Sequence, residues 1–101
     1  MLETCQEVSR ASGAAEATCE ETFRRLLRRA MLMRRLERQG MRAMWWIGHL
    51  RGLRRAHYGE RFGTAFEHEL YSHASNSPDP MTAAMGRGYL AGLTLTDREP
   101  D

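Results

Sequence analysis

The side chains best placed to do chemistry in this chain are its fifteen basic residues. All of them are arginine, and twelve lie between positions 20 and 61. A guanidinium is planar, permanently charged and able to grip a phosphate or carboxylate with two parallel hydrogen bonds, which a lysine ammonium does not do. The net charge of +2 hides their placement: residues 1–19 sum to −2, residues 20–61 to +8 and residues 62–101 to −4. On a helical wheel Arg24, Arg28, Arg35, Arg38 and, if the helix runs on, Arg42 form one narrow stripe. That stripe lies opposite much of the Phe23, Leu26, Ala30 and Met33 face. Arg25, Arg29 and Arg34 widen it. A stripe of this kind suits nucleic-acid phosphates, whose neutralisation releases counterions. The competing expectation is a solvated face balanced by the acidic ends of the same chain.

Other reactive groups lack the spacing that their chemistry needs. His68-Glu69-x-x-x-His73 is one residue longer than the His-Glu-x-x-His zinc motif, which turns its histidines about 140° apart on a helix. His73 reads instead as a histidine at the core edge. Cys5 and Cys19 would lie about 21 Å apart on a continuous helix, too far for a disulfide, although a break at Gly13 reopens that pairing. They are expected as reduced thiols in a reducing compartment. Gly86, Gly88 and Gly92 have the wrong spacing for a dinucleotide fingerprint, and no nucleophile elbow or phosphate-binding loop is present. No enzymatic activity, metal or cofactor is expected.

The elements that must position the arginines are helical. Thr18-x-x-Glu21 is a capping-box pattern ahead of apolar residues at helical spacing, and Gly40 is a natural stop, so a first helix is expected over 19–39. Residues 41–58 place Met41, Met44, Trp45, Gly48, Gly52 and Ala56 on one face of a second helix, which Gly59 can end. Thr64-x-x-Glu67 starts a third near 64–74, with Phe62, Phe66, Leu70 and His73 on one stripe. Ser75-Asn76-Ser77-Pro78-Asp79-Pro80 marks the start of a fourth, through a serine cap, proline in the first turn and an aspartate near the positive helix end. This last helix carries a smooth stripe at Met81, Ala84, Met85, Gly88 and Gly92 that would let a neighbouring backbone approach closely.

The expected fold is therefore all-α, a small bundle of about four helices in a single domain. Residues 1–17 are expected as a weakly ordered or short N-terminal helix, 18–93 as the helical domain and 94–101 as an acidic tail. No run approaches the roughly 20 apolar residues of a membrane span, and the N-terminus lacks a signal-peptide layout, which points to the cytoplasm.

Arg35-Leu36-Glu37-Arg38-Gln39-Gly40-Met41 resembles the end of a recognition helix in winged-helix DNA-binding proteins. The helical spacing from Met41 to Tyr58 departs from that family's two-strand wing, and no family assignment rests on the likeness.

The second helix is apolar on two sides, because Trp46, Leu50 and Leu53 point away from the Met41, Met44, Trp45 and Gly48 face. Such a helix is either central in the fold or covered by a partner, and the central place is favoured in a domain this small. The leading functional expectation is a non-enzymatic binding or regulatory protein. Its Arg24, Arg28, Arg35, Arg38 and Arg42 face would dock on nucleic acid or a nucleoprotein complex. The alternative is a small interaction module or inhibitor, of a kind encoded by phages or mobile elements. It would bind a protein partner or a second copy through Trp46, Leu50, Leu53 and Arg54.

Overall fold

In a computed structural model, residues 13–100 are described. They form four helices, α1 (Gly13–Leu36), α2 (Gly40–Tyr58), α3 (Ala65–His73) and α4 (Pro80–Leu93), with single 3-10 turns at Gly59–Arg61 and Ala74–Asn76. No strand occurs among the described residues, as the all-α bundle requires. No helix among them is long and apolar enough to cross a membrane.

The helix ends follow local chemistry. Gly40 turns the chain between α1 and α2 at φ 87, and Gly59 ends α2 at φ 69, a backbone region that side-chain-bearing residues resist. The Thr64 hydroxyl accepts the Glu67 amide at 3.1 Å to open α3. Asp79, rather than a serine, caps α4, accepting the Thr82 amide at 3.0 Å and the Thr82 hydroxyl at 2.7 Å. These bonds stabilise the charged carboxylate and hold Asp79 below the usual carboxylate range.

Two boundaries differ from expectation. Helix α1 begins at Gly13, so Thr18 lies inside it rather than at its start; the helix then stops at Leu36, short of Arg38. Cys19 is disulfide-bonded, not a reduced thiol. The inference from free thiols to a reducing compartment therefore no longer applies. Cys5 lies outside the described residues.

Helix α2 is central. One side receives Phe23, Leu26 and Ala30 of α1 around Trp46 and Leu53, and Trp46, Leu26 and Leu53 are at most 1% exposed. The other side meets α4 almost backbone to backbone. A Cβ added at Gly48 would lie 1.8 Å from the Met85 carbonyl oxygen, and one at Gly52 would lie 2.1 Å from that of Tyr89. The relation is reciprocal, since Gly88 and Gly92 would place a Cβ 2.0 Å from the Trp45 oxygen and 2.4 Å from the His49 oxygen. Two Gly-x-x-x-Gly segments thus pack on one another. Each glycine weakens its helix by about 1 kcal/mol relative to alanine, a loss offset by contacts that no larger residue permits.

His49 is sealed within this seam, fully buried and stacked on Trp45 at 4.7 Å, with its Nδ1 3.3 Å from the Gly88 carbonyl oxygen. Burial, aided by the positive charge of Arg29, lowers its pKa to about 4, so the ring is neutral near pH 7. His57 is the second buried histidine, stacked on Phe23 at 4.0 Å.

The expected stripe on α3 does not face the core. Phe66 and Leu70 are 73% and 55% exposed, and His73 is exposed too. The helix is held from its other side: His68 Nδ1 and the Tyr89 hydroxyl share a 2.8 Å hydrogen bond, and Tyr71 stacks on Tyr89 at 5.3 Å. Three aromatic and imidazole rings thereby do the work expected of the Phe66 and Leu70 pair.

Candidate functional site

The arginine stripe divides into two groups. Arg24, Arg28 and Arg35 lie exposed on the outer face of α1, and Arg38 is exposed in the connection after it. Among the described residues, Arg28, Arg35 and Arg38 have no acidic partner, and Arg24 has only Glu20 one turn away at 3.7 Å. A solvated pair of that kind contributes at most about 0.5 kcal/mol. These guanidiniums remain available.

Arg42 is not among them. Because α1 ends at Leu36, Arg42 belongs to α2, where its Nε donates to Glu37 at 2.6 Å and its Nη1 to the Pro100 carbonyl at 3.2 Å. The second group is thus engaged within the chain, and the 94–100 segment engages it. Asp97 accepts from Arg25 at 3.1 Å and from Arg29 at 2.5 Å, while the Arg98 carbonyl accepts from Arg29 at 2.7 Å. The Arg25 hydrogen bond, with the Arg29 charge behind it, holds the Asp97 carboxyl below its ordinary range.

Local backbone geometry delivers this segment to the arginines. After α4 the Leu95 amide donates to the Gly92 carbonyl and the Thr96 amide to the Ala91 carbonyl, both at 3.0 Å, the double bond of a Schellman turn. The left-handed position of that turn is usually glycine, but here Leu95 occupies it at φ 52. The strain, about 1–2 kcal/mol, is offset because the Leu95 side chain packs against the core. The chain reverses, Asp97 reaches Arg25 and Arg29, and Pro100 is buried.

The engaged group also connects to the core. The Arg29 guanidinium lies 5.1 Å from the Trp46 ring centroid, and the Trp46 indole donates to Glu37 at 2.8 Å. Asp97, Arg29, Trp46, Glu37, Arg42 and the Pro100 carbonyl therefore form one continuous polar series. Residue spacing gives no sign of the roles of Glu37 and Asp97, although the acidic character of residues 62–101, which hold Asp97, pointed to intramolecular balance.

The four residues read as an apolar anchor are not an exposed patch. Trp46 and Leu53 are core residues, Leu50 is half-buried against the core, and Arg54 is half-buried. Their two-sided pattern reflects the central place of α2. Exposed apolar residues occur instead among the free arginines: Met31, Leu32 and Leu36 are 42%, 55% and 66% exposed. No group of three or more His, Cys, Asp or Glu side chains among the described residues is placed to hold a metal ion. The helical course of residues 40–58 leaves no wing after the seven residues that resemble a recognition helix. Comparison with protein-family models, curated proteins and solved structures finds no match for this chain.

Proposed function

We propose that the protein is a non-enzymatic binding protein that docks the outer face of α1 on nucleic acid or a nucleoprotein complex. The observation that supports this reading is the set of exposed guanidiniums at Arg28, Arg35 and Arg38, which have no acidic partner among the described residues, with Arg24 beside them. Asp97 shows in miniature how an anion sits across two arginines of this helix, Arg25 and Arg29. A phosphate backbone offers the same contact repeatedly.

The test is binding to generic duplex DNA and RNA at low salt. Four phosphate contacts imply that log K falls with log salt at a slope of about −3 to −4. Arg28→Glu with Arg35→Glu abolishes binding while the helical circular dichroism is retained. Absence of binding by the unaltered protein at low salt refutes the reading.

A protein-interaction role is the second reading, favoured by Leu32 and Leu36 standing exposed between arginines. Arginines around an apolar centre are typical of protein interfaces. Leu32→Asp separates the two readings: it removes a protein partner but only modestly weakens nucleic-acid binding.

A further inference from the structure

Two exposed faces of this chain each combine a pair of apolar side chains with charge, and the charges are of opposite sign. On α1, Leu32 and Leu36 are one helical turn apart, with Arg28 and Arg35 exposed beside them. On α3, Phe66 and Leu70 are also one turn apart, with exposed Glu69 on the same stripe. Helix α3 buries none of its residues. Its outer stripe borders an open groove of about 550 Å³, with Thr82 and Met85 of α4 across from it.

The surroundings extend the match. Between Arg61 and Arg87 the chain has no lysine or arginine; Glu67 is paired with Arg51 of α2 at 3.9 Å, whereas Glu69, which lines the groove, has no basic partner among the described residues and leaves a negative charge there. The α1 ridge lies in the basic part. Opposite fields steer such surfaces together, and apolar burial then holds them. Within one molecule both apolar pairs stay exposed; a second copy supplies the missing face to each.

We propose that the Leu32 and Leu36 ridge of one copy docks in the α3–α4 groove of a second copy, with Arg28 and Arg35 directed at Glu69. The contact joins unlike patches, so it closes as a two-fold pair making it twice or continues head to tail. This self-association goes beyond nucleic-acid binding and does not require it. It uses two of the same arginines, so a bound polyanion competes with it.

The experiment is sedimentation equilibrium of the full chain, without nucleic acid, across protein and salt concentration. The weight-average mass is expected to rise above 11.6 kDa with concentration at low salt and to fall back as salt increases. Leu36→Glu and Phe66→Arg, both at exposed positions, should each restore the monomer with unchanged helical circular dichroism. Mixed one to one, the two variants should associate again, because one retains an intact groove and the other an intact ridge. A constant monomer mass up to about 1 mM overturns the proposal, since a weaker contact supplies less than about 4 kcal/mol. Association that survives both substitutions also overturns it. So does association lost with Phe66→Arg but untouched by Leu36→Glu, which would mean that α3 pairs with α3. Nucleic-acid binding can fail without altering any of these outcomes.

Discussion

The seam between α2 and α4 and the outer face of α1 are opposite solutions for a helix surface. In the seam, side chains are absent where the helices cross, and Gly48, Gly52, Gly88 and Gly92 bring carbonyl oxygens to positions that a Cβ would occupy. On α1 the side chains are long, charged or apolar, and exposed: Arg24, Arg28, Leu32, Arg35 and Leu36. The seam permits one arrangement only, because close-packed backbones cannot yield. The α1 face tolerates many neighbours, because its groups can reorient. Stability is therefore concentrated in the first region, and the exposed charge that the proposed docking would use in the second.

The most severe way to break this contrast is Gly52→Val. Its branched side chain would have to enter space held by the Tyr89 carbonyl and the Gly92 Cα, both of them backbone. A loss of about 3 kcal/mol or more is expected, seen as a large fall in the thermal midpoint or as failure to fold. Arg35→Ala, on the other face, should change the stability by no more than about 0.5 kcal/mol.

Acid should discriminate between the regions next. The unfolded chain protonates His49 near its ordinary value of 6.5, whereas in the seam the ring resists protonation until about pH 4. The unfolded state thus binds more protons in this window, so stability falls as pH drops from 6.5 to 4 and is insensitive to this group above it. The full loss is about 3 kcal/mol. Urea unfolding at a series of pH values measures it, and His49→Gln should flatten the slope between pH 4 and 6.5.

A small effect on stability is expected of Asp97→Asn. The Asp97 carboxylate is exposed to solvent, so its pairs with Arg25 and Arg29 should contribute little to stability. Arg25 loses its carboxylate partner while Arg29 keeps the Arg98 carbonyl and the Trp46 ring, so low-salt affinity for nucleic acid should rise, chiefly through Arg25. Unchanged affinity would show that Arg25 and Arg29 contribute nothing to the recognising face.

The four helices were legible because their signals are local: Gly40, Gly59, Thr64 and the Pro78 to Pro80 stretch each set a boundary through one residue's own chemistry. The small-residue stripe of α4 likewise foretold a close backbone approach. Direction was harder to read. Phe66 and Leu70 have core-like spacing, but the aromatic ring of Tyr71 and the imidazole of His68 compete for the inner face and occupy it. The arginine stripe was legible as a stripe, but its division into free and engaged members depends on Asp97, nearly 70 residues away along the chain from Arg29. No periodicity within one helix encodes such a contact. For Trp46 the favoured central place of α2 holds and the alternative of an exposed anchor does not, since two-sided helices look alike whether a neighbour belongs to the same chain or to another.

Leu95 has a consequence of its own. It holds a left-handed backbone angle because its side chain is anchored among apolar neighbours, and the direction of the segment carrying Asp97 follows from that angle. Interior packing and surface potential therefore share one pivot. Shortening the side chain, as in Leu95→Ala, loosens the turn from inside and alters the charge presented outside, although no ionisable group has changed. A double-mutant cycle between Leu95→Ala and Asp97→Asn should show non-additive affinity for a polyanion, a coupling that connects the interior of this small protein to its electrostatic surface.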